Sequence, residues 1–165
     1  YILLTIFSKI NGQFRPIKID KEICEFDSSR TELRCLQISN DLILPSSDVL
    51  KNLTRSFAQI TFSNKRYTKL LENSFIDLDI IHLVLTRNQL ETVHERAINN
   101  VRNLRILSLK SNNLMNISLV LDSNLEQLDL GDNLIEILRK KYFKNLRSLR
   151  VLRLDDNNIR QIEQD

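Results

Sequence analysis

The side chains best equipped for chemistry in this 165-residue chain are two histidines, two cysteines and a late set of carboxylates. His82 and His94 could serve as a base or as metal ligands. Asp129, Asp132, Asp155 and Asp156 could gather a cation, but their spacing matches no calcium loop. Cys24 and Cys35 are the only cysteines, and without a second pair they do not make the thiolate set of a structural zinc site. No nucleophile stands in register with a base and an orienting acid. The expectation is therefore a non-enzyme with no catalytic residues, no cofactor and no metal.

The cysteines have two readings. An even count ahead of a repetitive region fits a capping disulfide, Cys24 to Cys35, in an oxidising compartment. Two reduced thiols in a cytosolic protein are the other. Two sequons, Asn52-Leu53-Thr54 and Asn116-Ile117-Ser118, are candidate glycosylation sites and favour the first reading.

The elements that must carry these residues repeat. An apolar residue recurs at positions 1, 4, 6 and 11 of a unit, with Asn at position 9, in copies starting at Phe57, Ile80, Leu104, Leu125 and Leu149. The offsets are 23, 24, 21 and 24 residues. That pattern and period belong to leucine-rich repeats. The predicted fold is an α/β-type solenoid, a leucine-rich-repeat horseshoe. It has a parallel concave β-sheet, an irregular or 3-10 convex side and an N-terminal cap. Positions 1 to 6 form a strand whose residues 4 and 6 point inward. At position 9 an amide can both donate to and accept from the backbone of the turn, so Asn88, Asn112, Asn133 and Asn157 are expected to stack as a structural ladder. Apolar residues at positions 14, 19 and 22, such as Leu70, Phe75 and Leu78, should close the core from the convex side. The copy at Leu104 is three residues short, which predicts a tighter, extended link at Ser118-Leu119-Val120-Leu121. The first copy carries Lys65 in place of Asn, and its turn is expected to open to solvent.

The domain expectation is a possible signal-peptide remnant over 1–12, a cap over 13–56 and five repeats over 57–165, the last one truncated. The apolar run Tyr1 to Phe7 reads as the tail of a secretory signal, with the first strand of the cap as the other reading. It is too short to span a bilayer. Truncation inside the last repeat predicts that further repeats or another domain follow.

The concave side should present Ile81, His82, Val84, Arg105, Ile106, Glu126, Asp129, Val151 and Arg153. Ile81, Val84, Ile106 and Val151 would give an apolar strip beside charges, a surface suited to a protein partner. The charges also have a plain reading as solvated pairs that aid solubility. The balance of 24 Lys+Arg against 21 Asp+Glu is too even to suggest nucleic acid.

Residues 24–165 resemble the secreted leucine-rich-repeat immune proteins of mosquitoes, the Anopheles Plasmodium-responsive family. The resemblance rests on Cys24 and Cys35, the non-repeat stretch through Leu53-Thr54, the irregular copy Phe57-Ala58-Gln59-Ile60-Thr61-Phe62, and Lys69-Leu70-Leu71 through Phe75. It implies a non-enzymatic haemolymph protein acting in innate immunity. Such a protein pairs with a related leucine-rich-repeat protein and stabilises complement-like thioester proteins. A Toll-like or adhesion receptor ectodomain would share the same extracellular half. An intracellular scaffold would instead keep free thiols and no glycans.

Overall fold

In a computed structural model, the described residues are 57–163 apart from 65, 76, 99, 100, 102, 122 and 123, together with the backbone of three strands before residue 38. Residues 1–12, Asn52 and Lys65 lie outside them, so the expectations of a cleaved leader, a glycan at Asn52 and a solvent-open first turn concern residues not described.

Five strands carry the repeat pattern: β4 (Phe57–Thr61), β6 (Ile80–Val84), β8 (Ile106–Ser108), β9 (Gln127–Asp129) and β11 (Val151–Arg153). They pair in parallel and in register, so that Ile60, Leu83, Leu107, Leu128 and Leu152 align across the sheet. These are the position-4 residues of the five copies. A single strand of three to five residues cannot bury its inward leucine. Each one gains that burial from the coil before it and the coil after it. The first four of these residues are at most 1% exposed, but Leu152 is 41% exposed, because no described coil lies beyond β11.

Three more strands extend the sheet at its N-terminal edge: β1 (Ile17–Ile19), β2 (Glu22–Phe26) and β3 (Glu32–Gln37). Strand β3 joins β4 in parallel, while β1, β2 and β3 pair antiparallel with one another, completing eight strands.

The opposite side is closed by short parallel ladders where the sequence predicts only irregular or 3-10 structure. Strand β5 (Lys69–Leu70) pairs with β7 (Thr92–Val93), and β10 (Ile137–Arg139) with β12 (Gln161–Glu163). All four begin at position 13 of their copies. A 3-10 turn over Lys140–Tyr142 follows β10, and no α-helix occurs among the described residues. The short copy has no such strand. Its Ser118 to Leu121 run has no regular secondary structure, with Leu119 and Leu121 buried and Val120 exposed. Removing three residues leaves too little chain for both a ladder strand and a turn, so alternation alone delivers two leucines to the core.

Phe62, Tyr67 and Phe75 fill the first coil, with the Phe62 ring 6.1 Å from Tyr67 and 6.2 Å from Phe75. The tilted and edge-on geometry suits aromatic quadrupoles. Phe62 and Tyr67 stand where the later copies carry Leu or Ile, and Phe75 stands where they carry Ile98 and Phe143.

Candidate functional site: the exposed face of the long sheet

Strand alternation sets the site. Inward residues 4 and 6 leave residues 3 and 5 on the solvent face. The register aligns Gln59, His82, Ile106, Gln127 and Val151 in one row and Thr61, Val84, Ser108, Asp129 and Arg153 in the next. The cap continues the rows at backbone level, with Glu32 opposite Gln59 and Arg34 opposite Thr61.

Charge is unevenly spread over this face. In its C-terminal half, Arg105 forms an ion pair and hydrogen bond with Glu126, one strand over. Arg153 stands 3.8 Å from Asp129 across β9 and β11. These groups largely cancel one another, and at such exposure each pair is worth under about 1 kcal/mol. The centre, over β4, β6 and β8, carries no Lys, Arg, Asp or Glu in either row. Gln59 hydrogen-bonds His82 (Oε1 to Nδ1, 3.2 Å) and donates from Nε2 to Thr61 Oγ1 at 3.0 Å.

The apolar candidates do not form one strip. Ile106 lies beside His82 on one side and Gln127 on the other, and Gln127 separates it from Val151. Val84 is one row over, opposite Ser108. Ile81 is exposed at position 2, where its carbonyl accepts from the Arg105 amide at 2.9 Å. The structure thus brings Ile81, Val84 and Ile106 together with His82 and leaves Val151 apart, beside the paired charges.

The two histidines serve different sides. His94 is exposed on the outer half-turn after β7, where its Nδ1 accepts from the Arg96 amide at 3.2 Å. Among the described residues, no group of three or more His, Cys, Asp or Glu is placed to hold a metal. No helix among them is long and apolar enough to cross a membrane.

The edge above the sheet is built by the asparagines. Asn112 Nδ2 donates to the carbonyls of Leu85 (3.0 Å) and Leu109 (2.8 Å), and its Oδ1 accepts from the Leu90 amide (3.1 Å). Asn133 bridges Leu109, Leu130 and the Leu114 amide in the same way. Asn157 bridges Leu130, Leu154 and the Ile135 amide. Asn88 donates to Phe62 and Leu85. Each side chain therefore stitches two consecutive coils.

Position 8 goes unnoticed in the sequence. Asn64, Arg87, Ser111, Asp132 and Asp156 all have φ between 53° and 59°. Asn and Asp tolerate this left-handed conformation, and three of the five positions carry them. That enrichment was the available signal, and Arg87 obscured it.

For the cysteines, the register puts Cys24 directly opposite Cys35 in the β2–β3 pair. Opposed residues in an antiparallel ladder stand about 4.5–5.5 Å apart at Cα, inside the about 4.4–6.8 Å span of disulfides. At the remaining sequon, Asn116 is exposed, and the Ser118 hydroxyl donates to the Val93 carbonyl at 3.0 Å.

A coiled parallel sheet, an inward row of leucines and an interlocking asparagine ladder define a leucine-rich-repeat solenoid, a fold that serves protein interaction. A family model described as leucine rich repeat matches residues 123–165, the copies starting at Leu125 and Leu149. The three earlier copies share their strand register, and those starting at Ile80 and Leu104 share the ladder geometry. No curated protein matches the chain.

Proposed function

We propose that this chain is a protein-binding module whose partner docks on the centre of the long sheet, over Ile81, His82, Val84 and Ile106. The observation that carries this reading is the separation of charge. The C-terminal ion pairs are satisfied internally, whereas the centre offers partly exposed aliphatic carbons beside the Gln59–His82 hydrogen bond. Apolar surface rimmed by polar groups is what a protein interface uses. Paired-up rim charges add little affinity of their own.

The compartment in this reading is extracellular. Support comes from the opposed cysteines, the exposed sequon at Asn116 and the resemblance to secreted immune proteins of mosquitoes. On that resemblance, the narrower proposal is a haemolymph protein of innate immunity. Its partners would be a related leucine-rich-repeat chain and a complement-like thioester protein. Expression through the secretory pathway, followed by glycosidase treatment and non-reducing mass spectrometry, tests the compartment. A glycan on Asn116 and a mass two hydrogens low at the cysteines would support it, and a bare Asn116 with two free thiols would refute it.

The face is tested with the purified thioester protein as probe. Val84→Asp and Ile106→Asp should each weaken binding by about tenfold or more, as expected when a central apolar contact is lost. Arg153→Ala should change it by less than about threefold, in line with the small worth of a surface ion pair. If both aspartate variants bind as the parent does, the centre of the sheet is not the docking face.

A further inference from the structure

We propose that the coil starting at Leu125 carries a second interaction surface, a basic convex patch that binds a sulfated polysaccharide. Residues 137–154 contain seven Lys and Arg and no Asp or Glu. The near-even charge of the whole chain conceals this concentration. Two of the seven are engaged. Arg139 Nε donates to Glu163 at 2.8 Å, and Arg153 faces Asp129 at 3.8 Å. The Tyr142 hydroxyl, and then Glu163, push the Arg139 guanidinium further towards its charged form. The other five, Lys140, Lys141, Lys144, Arg147 and Arg150, are exposed, and none is in an ion pair with a described residue. Lys140, Lys141, Lys144 and Arg147 lie on the outer half of this coil, and Arg150, at position 2 of the next, stands at the foot of β11 beside Glu126. The corresponding convex segments of the first two copies contain acids, among them Glu72 and Glu95, both near Arg96.

An unpaired basic cluster of this density is an anion-binding surface. Its shape selects the kind of anion. The patch lies on a 3-10 turn and the loop after it, with no α-helix to enter a DNA groove. It offers no open aromatic platform for bases, because Tyr142 is half-buried and the Lys141 ammonium sits 5.1 Å from its ring centroid. To a bilayer it presents one exposed apolar side chain, Ile162 on the adjoining β12, since Leu146 is buried and Phe143 packs against the core. What remains is a flexible, linear, heavily charged chain that can meet successive exposed cations along the segment. This inference is independent of the central docking face.

The experiment is a titration of the whole chain with a heparin dodecasaccharide at about 0.15 M salt, where unpaired surface charges are already partly screened. Binding should weaken steeply as salt rises. The double variant Lys141→Glu/Lys144→Glu should lose about tenfold or more in affinity, while Lys69→Glu/Lys110→Glu, which changes net charge equally, should lose less than about twofold. Lys141→Arg/Lys144→Arg should bind as the parent does. Thermal melts of the variants should coincide, since all the substituted residues lie outside the core. Three results would overturn the proposal: no heparin binding, an equal loss in the two charge-swapped variants, or tighter binding to duplex DNA or to phosphatidylserine vesicles than to heparin.

Discussion

Asn112 shows how one side chain can hold two coils. It is buried and satisfies two carbonyls and an amide that no strand reaches. Replacing it by Ala strands the Leu90 amide, at a cost of about 1–3 kcal/mol, and removes a second donor from the Leu85 and Leu109 carbonyls, which keep Asn88 and Asn133. Asn112→Ala should therefore lower unfolding free energy in urea by about 2–4 kcal/mol, and Asn157→Ala, in a half-exposed coil, by about half as much. Arg87 makes the opposite case. Its φ of 54° is costly for a long side chain and cheap for Asn. Arg87→Asn should raise stability by up to about 1 kcal/mol, and Arg87→Val should lower it by at least that much. Gly131 is small for a different reason. A Cβ there would meet Asp155 Oδ2 at 3.0 Å, so the carboxylate of the next coil leans over a residue without a side chain.

At the scale of elements, the cap and the repeats form one sheet although their strands run differently. Strand β3 is the hinge of that change, antiparallel to β2 and parallel to β4. A bond between the opposed cysteines would pin the cap hairpin in the register that β4 needs. Cys24→Ser/Cys35→Ser should then cost about 2–3 kcal/mol in non-reducing urea melts, with the parent falling to the same level once reduced. Unchanged melts on reduction would count against the bond. The convex ladders were not legible in the sequence because strands of two or three residues are too short to show a period. Their pairing depends on coils more than twenty residues apart arriving side by side.

Across the molecule, stability follows position along the coil. Each coil touches only its neighbours, so the same residue type is worth more inside the array than at its end. Leu107, with coils on both sides, is fully buried, whereas Leu152 is 41% exposed. Leu107→Ala should cost about 2–5 kcal/mol and Leu152→Ala about 1 kcal/mol or less, by the removal of buried against exposed methylenes. Equal losses in urea melts would show that another layer covers β11 in solution. The two proposed surfaces divide at this scale too, one on the centre of the sheet and one on a segment whose cations form no ion pair with a described residue.

The sequence by itself determined the repeat, the inward leucines and the positions of the asparagines. Spacing along a chain dictates which side chains share a face, and apolar side chains must find that face buried. It also set which residues could stand on the solvent side of the strands. Only the tertiary structure decided their neighbours. Gln127 separates Ile106 from Val151, Gln59 meets His82, and Arg105 meets Glu126 because of inter-strand register, which joins residues 21 to 24 apart in sequence. The left-handed residue at every position 8 was likewise settled by the coil. The chain must turn sharply off each strand to stack on the next, and that geometry is imposed even on Arg87.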